Sequence, residues 1–376
     1  MGHVYIPGLR VTEYELVRKK RILPLKGEVV VKEGDEVEPD TVVARAFLPG
    51  RVDTINVAGL LSVEPAEVES ILLKKVGEKF KKDEVLAESK GFFGLFKTQI
   101  KAPFDGSVES VSKITGQVIL RAEPTPIELK AYIPGVIKEV YPEEGVLVET
   151  WATFIQGIFG VGGERYGKLR MLVDSPDEKL VADKIDESLK GAILIGGSLI
   201  TVDVIEKAKE VGAVGIVSGG IDALDLVKFL GYDLGVAITG SEDIPLTLIV
   251  TEGFGEIPMA EKTFKLLKKY DGYNASINGA TQIRAGVIRP EIIIKQEEPK
   301  DELKQRVTTQ VATRGLELGM MVRIIRVPYF GKIGKIVELP PELQQLESET
   351  KARVAVVELL DGERVVVPRA NIEMLE

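Results

Sequence analysis

Gly191-Ala-Ile-Leu-Ile-Gly-Gly-Ser198, Ala213-Val-Gly-Ile-Val-Ser-Gly-Gly220 and Leu246-Thr-Leu-Ile-Val-Thr-Glu-Gly253 are three short apolar runs that each end in glycine beside a polar residue. Amphipathic stretches separate or follow them, Thr201 to Val211, Asp222 to Leu230 and Met259 to Tyr270, and a shorter run, Val236-Ala-Ile-Thr-Gly240, lies between the second and third. Arg165 to Val173 reads as a preceding strand. Asp174-Ser-Pro-Asp177 then opens a helix from about Glu178 to Leu189, with acidic residues in the first turn as the helix dipole favours. Apolar strands alternating with amphipathic helices predict a mainly parallel α/β sheet covered on both faces, assigned to residues 151–300.

In such sheets ligands bind beyond the carboxyl ends of the strands, where helix N-termini offer unpaired N–H groups. Those ends carry Gly196-Gly197-Ser198 with Thr201, Ser218-Gly219-Gly220, Thr239 with Ser241, and Glu252-Gly253. The hydroxyls of Ser198, Thr201, Ser218, Thr239 and Ser241 are candidate hydrogen-bonding groups for a small anionic ligand. Glu252 is the candidate for acid or base work. Glycine and cap residues are also what any strand-to-helix turn needs, so the same residues fit an unliganded rim.

Composition narrows the chemistry. The chain has 376 residues, 44% of them hydrophobic, enough for two or three domain cores. It has no cysteine and a single histidine, His3, which removes disulfides and thiol nucleophiles and nearly removes imidazole chemistry. The formal net charge of -9 argues against a surface that tracks phosphates over its whole length. With no apolar run of membrane-spanning length and no signal-peptide order at its start, the chain is expected in the cytoplasm. Its abundance of Lys and Glu would suit a thermophile.

Residues 1–150 contain an internal repeat. Val31-Lys-Glu-Gly-Asp-Glu-Val37 and Val42-Val-Ala44 correspond to Val76-Gly-Glu-Lys-Phe80 and Val85-Leu-Ala87, with an offset of 43 for both Gly34 to Gly77 and Ala44 to Ala87. Leu48-Pro-Gly-Arg-Val52 is matched to Pro103-Phe-Asp-Gly-Ser-Val108, where the offset grows to 56 and implies an insertion in the second copy. Tyr132 to Val140 and Gly145 to Thr150 form a further hairpin. Repeated short β units with glycine turns predict a folded-over β module. The pattern resembles the barrel-sandwich hybrid of biotinyl and lipoyl domains. In those carriers a lysine in a Met-Lys-Met setting stands seven residues before the Ala of Ala-Pro. Here the corresponding residue is Leu95, before Ala102, so the resemblance implies the scaffold without a biotinyl or lipoyl cofactor. Non-carrier versions of the fold occur in the largest subunit of bacterial RNA polymerase and in membrane-associated electron-transfer subunits. The inserted Lys90-Gly-Phe-Phe-Gly-Leu-Phe-Lys97 reads either as an exposed wedge for a partner or as a hairpin that buries Phe92, Phe93 and Phe96.

Two further segments have a functional and a plain reading. Gln156-Gly-Ile-Phe-Gly-Val-Gly-Gly-Glu164 is glycine-rich but lacks both the Walker and the dinucleotide spacing, which leaves flexible interdomain turns. Asn274 to Arg284 reads as an edge strand that could offer Asn278, Thr281, Gln282 and Arg284, with Arg289 nearby, to an anion or to solvent.

Lys295 to Lys304 is a charged linker, and residues 301–376 form a last module. Leu318-Gly-Met-Met-Val-Arg-Ile-Ile-Arg-Val-Pro-Tyr-Phe-Gly-Lys-Ile-Gly-Lys-Ile-Val337, followed by Val354 to Leu359, the Asp361-Gly362 turn and Arg364 to Pro368, resembles a KOW motif in an SH3-like barrel. Such modules contact RNA, ribosome or polymerase, and the resemblance makes Arg323, Arg326, Lys332 and Lys335 a possible phosphate-contacting or partner-binding face. The glutamates among them leave the module near neutral, which favours a protein partner. The whole chain resembles a bacterial multidomain protein that joins a biotinyl-like β module, an α/β domain and a KOW barrel. The function expected is a non-catalytic binding or scaffold protein. The alternatives are a transcription- or translation-associated factor and an enzyme acting at the α/β rim.

Overall fold

The computed structural model describes residues 9–89, 98–231, 240, 242, 244–282, 288–298, 316–326, 328–329, 331–345 and 351–374. Among them strands predominate, twenty-six against five short α-helices, arranged in several sheets. None of the described helices is long and apolar enough to cross a membrane.

The largest sheet is mixed and has eleven strands. Its parallel part is Glu164–Met171, Ala192–Ile195, Gly215–Ile221 and Thr247–Phe254, side by side in chain order. The helix Val202–Val211 ends at Gly212 and Ala223–Leu230 ends at Gly231, both with φ +77, the left-handed geometry that lets glycine stop a helix. Asp222 starts the second of these by accepting a hydrogen bond from the Leu224 N–H. Because each parallel strand is laid down on the same side of the last, right-handed crossovers put these helices on one face. Helices on both faces were expected. The other face is covered instead by the sheet itself, which curls round through Asn274–Asn278, Glu291–Lys295 and Gly145–Gln156. Two residues beyond Gln156 the same extended run, now Phe159–Val161, pairs with Thr247–Phe254 at the far end of the order. The core is this curled interior and the helix layer, with Ile155, Phe159, Ile193, Ile216, Leu248 and Ile277 almost wholly buried, each contributing about 1.5–3 kcal/mol by leaving water.

Three local expectations change. Residues 178–189 form only the short 3-10 turns Ala182–Lys184 and Glu187–Leu189, because the backbone before them is drawn onto the strand ends, where Glu178 O accepts from Ser198 N–H. The glycine-rich 156–164 is no flexible turn. Its Phe159–Val161 is a buried strand, and Gly160 and Gly162 lie where a side chain would strike the carbonyls of Gly279 and Leu246. Asn274–Asn278 is an inner strand, not an edge, with Ala275, Ser276 and Ile277 buried. Most of the run Val236 to Gly240, and Phe92, Phe93 and Phe96, lie outside the described residues.

The N-terminal repeat is real, but its halves pair differently from the sequence match. Gly34 N–H donates to Ile137 O as Gly77 N–H does to Val108 O, and both glycines have φ +87. Ala44 lies opposite Leu129 and, after a bulge, Val42 opposite Lys130; Ala87 lies opposite Ile100 and Val85 opposite Lys101 with the same bulge. The counterpart of Pro103–Val108 is therefore Tyr132–Ile137, not Leu48–Val52. The second unit is inserted whole into a hairpin of the first, between Leu48 and its cross-strand partner Thr125. Its core, from Val57 to Leu120, is separate from the two clusters that serve the first unit. The first unit merges with the central sheet, since Gly145–Gln156 runs straight through the expected boundary at 150 and pairs Val11–Ile22 along its length.

The C-terminal residues form a six-stranded antiparallel sheet, Met321–Ile324, Ile333–Glu338, Leu343–Gln345, Lys351–Leu359, Arg364–Pro368 and Ile372–Met374, around its own apolar cluster.

Candidate functional site

The glycine-rich strand ends do gather on one rim, and the chain itself crosses that rim. After Thr247–Phe254 the backbone turns over the neighbouring strands. Gly255 N–H donates to Ile221 O, Ile257 N–H to Ser198 O and Met259 N–H to Pro176 O. It then enters the helix Glu261–Lys269 and arrives at Asp271, which accepts from the Met171 N–H. The glycines are where this crossing is closest. A Cβ on Gly220 would stand 2.0 Å from Gly255 O, one on Gly219 2.1 Å from Ile257 O, and one on Gly197 2.3 Å from Glu178 O. Main-chain approach of this kind excludes any residue with a side chain.

The polar groups expected to face a ligand bond to this crossing and to one another. Ser198 is buried and its hydroxyl donates to Asp177 O, while the buried Ser218 hydroxyl donates to Gly197 O. Gly219 N–H donates to Gly197 O. These rim groups are thus satisfied within the fold, as buried polar groups must be. Gly196 packs on Leu180, and Thr201 holds the N-cap position of Val202–Val211 without a capping bond from its side chain. Thr239, Ser241 and Arg284 lie outside the described residues. Asn278 accepts from the Ala280 N–H, Thr281 is buried against Gly160, and the Gln282 backbone N–H bonds to Ile288 O.

Glu252, the candidate for acid or base work, has both carboxylate oxygens engaged. One of its carboxylate oxygens accepts from the Ala260 N–H at 3.0 Å, and the other meets the guanidinium of Arg323 at 2.5 Å. Arg323 is wholly buried, which removes it from any phosphate-contacting surface. Its second terminal nitrogen lies 2.8 Å from Glu373, its cross-strand partner, and Glu373 meets Arg289 at 3.3 Å. Burial depresses the Arg289 pKa first of all, with the Arg323 and Arg326 charges acting the same way and the Glu373 carboxylate opposing them. Two carboxylates and two guanidiniums therefore neutralise one another where the rim meets the C-terminal sheet. The backbones touch at the same place: a Cβ on Gly253 would stand 2.5 Å from Gly331 O. Sequence reading missed this because nothing in the spacing of residues 252, 289, 323 and 373 marks them as neighbours.

Two of the remaining cations of the C-terminal module are paired with carboxylates. Lys332 is flanked by Asp361 and Glu363, and Arg364 pairs with Glu358. Lys335 is exposed, and Arg326 is half-buried.

A second buried polar group joins the first N-terminal unit to the central sheet. Tyr132, with φ +71, is buried and donates to Glu291 at 3.1 Å, and Lys19 meets the other Glu291 oxygen at 2.5 Å. Ser276 donates to Tyr132 O, and Arg21 pairs with Glu164. Burial, reinforced by the Glu291 and Glu164 charges, pushes the Tyr132 phenol well above its ordinary pKa.

No protein-family model matches the chain, and no curated protein matches it.

Proposed function

We propose that this is a non-catalytic binding or scaffold protein of the cytoplasm, in which an α/β core carries β modules as attachments for a protein partner. The carrying observation is the ion-paired cluster of Glu252, Arg323, Glu373 and Arg289. Both oxygens of the carboxylate with the best claim to acid–base work are engaged in docking the C-terminal sheet onto the rim. The rim serves as a joint. A buried four-charge cluster is costly to desolvate and holds only when every member is paired, which suits a fixed joint better than a group that must take and release a proton. In this reading the N-terminal units are barrel-sandwich-like modules without a carrier lysine, and the C-terminal sheet is a KOW-type SH3-like barrel. The acids beside Lys332 and Arg364 weaken a phosphate-contacting role for that barrel and support a protein contact.

The test is affinity capture of the tagged full chain from its own cells in low salt, with and without nuclease. A stoichiometric protein partner that survives nuclease is expected. Recovery of RNA or ribosomes that nuclease abolishes, and that Lys332→Glu with Lys335→Glu also abolishes, would overturn this reading in favour of a transcription- or translation-associated factor. An enzymatic turnover lost in Glu252→Gln while the protein stays folded would overturn it in favour of an enzyme.

A further inference from the structure

The strand Gly145–Gln156 is lined along one edge by Val11–Ile22. Two strands share its other edge. Gly135–Tyr141 pairs with it as far as Glu149, and Glu291–Lys295 takes over from Ala152. At Thr150 and Trp151 these two strands part, and the fork opens into a groove of about 390 Å³. The main chain in the fork is already bonded, Trp151 O accepting from Gln296 N–H, so a ligand would be held by side chains.

The floor of the groove is apolar. Trp151, the one tryptophan of the chain, stands opposite its cross-strand neighbour Leu16, and Val136 is 41% exposed beside them. The banks carry both signs of charge. Lys138 stands on one side and Lys295 on the other, with Glu36 and Glu149 near the first and Glu298 near the second. Glu149 is neutralised by Arg18. The Gln296 amide nitrogen is held by Thr153 and Ile294, which leaves its carbonyl oxygen as the acceptor.

We propose that this groove binds a neutral saccharide of one or two rings. A charged ligand would meet a like charge on the first bank, in Lys138 or in Glu36. A ring of hydroxyls meets acceptors in the Glu36 carboxylate and the Gln296 carbonyl and a donor in the Lys138 ammonium, so hydroxyls can both give and take. An aromatic face flanked by polar groups suits the C–H face of a pyranose, which is apolar while its rim is polar. The volume lies in the ordinary range for small-molecule sites, roughly 300–1,000 Å³.

Because Trp151 is the one tryptophan, its fluorescence reports this groove alone. The full-length protein is titrated with maltose, cellobiose and N,N′-diacetylchitobiose, with emission and calorimetric heat as readouts. At least one of the three should give a saturable change whose midpoint is insensitive to added salt. Val136→Glu places a carboxylate over the floor from an exposed strand position, and it should weaken that binding by at least about tenfold, or about 1.4 kcal/mol, without lowering Tm appreciably. Trp151→Phe, followed by calorimetry, should weaken it as well. Absence of any signal with all three sugars, undiminished binding in Val136→Glu, or tighter binding of glucuronate or glucosamine than of the neutral sugars would each overturn the proposal. These outcomes are separate from partner capture, so either proposal can fail alone.

Discussion

Arg323 is wholly buried and joins two carboxylates, so its loss should be felt more than its packing suggests. Arg323→Met keeps most of the volume but leaves Glu252 and Glu373 buried beside too little positive charge. It should cost about 3–5 kcal/mol in urea denaturation, because breaking a buried pair on one side strands the other charge. Glu252→Gln retains an acceptor for the Ala260 N–H and should cost less; an equal cost would show that the charge, not the hydrogen bond, holds the joint. Gly220→Ala tests the crossing of the rim. With a Cβ at 2.0 Å from Gly255 O the backbones must separate, and a loss of at least about 1–3 kcal/mol is expected. Tyr132 gives a pH signature. Its phenol titrates higher in the folded than in the unfolded chain, so its contribution is whole below pH ~10 and is lost as pH rises through the folded value. Tyr132→Phe should therefore flatten the alkaline fall of Tm relative to the parent protein, and identical alkaline limbs would refute the buried Tyr132–Glu291 contact.

At the scale of elements, what was legible followed local periodicity. Val202–Val211, Ala223–Leu230 and Glu261–Lys269 fall within a residue or two of their expected bounds, because an apolar stripe, an Asp222 cap and terminal glycines act within a single turn. The stretch 178–189 carried similar marks and did not become a helix. The Asp177 and Glu178 carbonyls accept from Ser198, which lies beyond the end of another strand and in no window of residues 178–189. The candidate site failed to read out for the same kind of reason. Glycine at 197, 219 and 220 is equally consistent with a ligand and with a crossing backbone, and only the paths of residues 175–178 and 254–260 distinguish the two. Arg323 looked exposed because it lies among other cations in the sequence, whereas its strand faces Glu252.

At the scale of the molecule, the nested repeat makes the second N-terminal unit removable. Leu48 and Thr125 are cross-strand partners, so a two-residue turn can close the hairpin in its place. Deleting residues 49–124 with an Asn-Gly closure should leave a chain that unfolds cooperatively with the Arg323 joint intact, and residues 49–124 alone should fold around the cluster Val57 to Leu120. Circular dichroism and denaturation of the two pieces check this; loss of structure in the larger piece would mean that the units share a core after all. The sequence by itself determined that the chain repeats a β unit, that glycine-ended strands alternate with helices, and that thiol chemistry is absent, because composition and short-range pattern act locally. Which half of a repeat pairs with which, that the central sheet curls back on itself, and that Glu252 meets Arg323 across 71 positions were decided by the tertiary structure alone, since pairing across long separations is selected by the burial of the whole core and leaves no periodic trace in the chain.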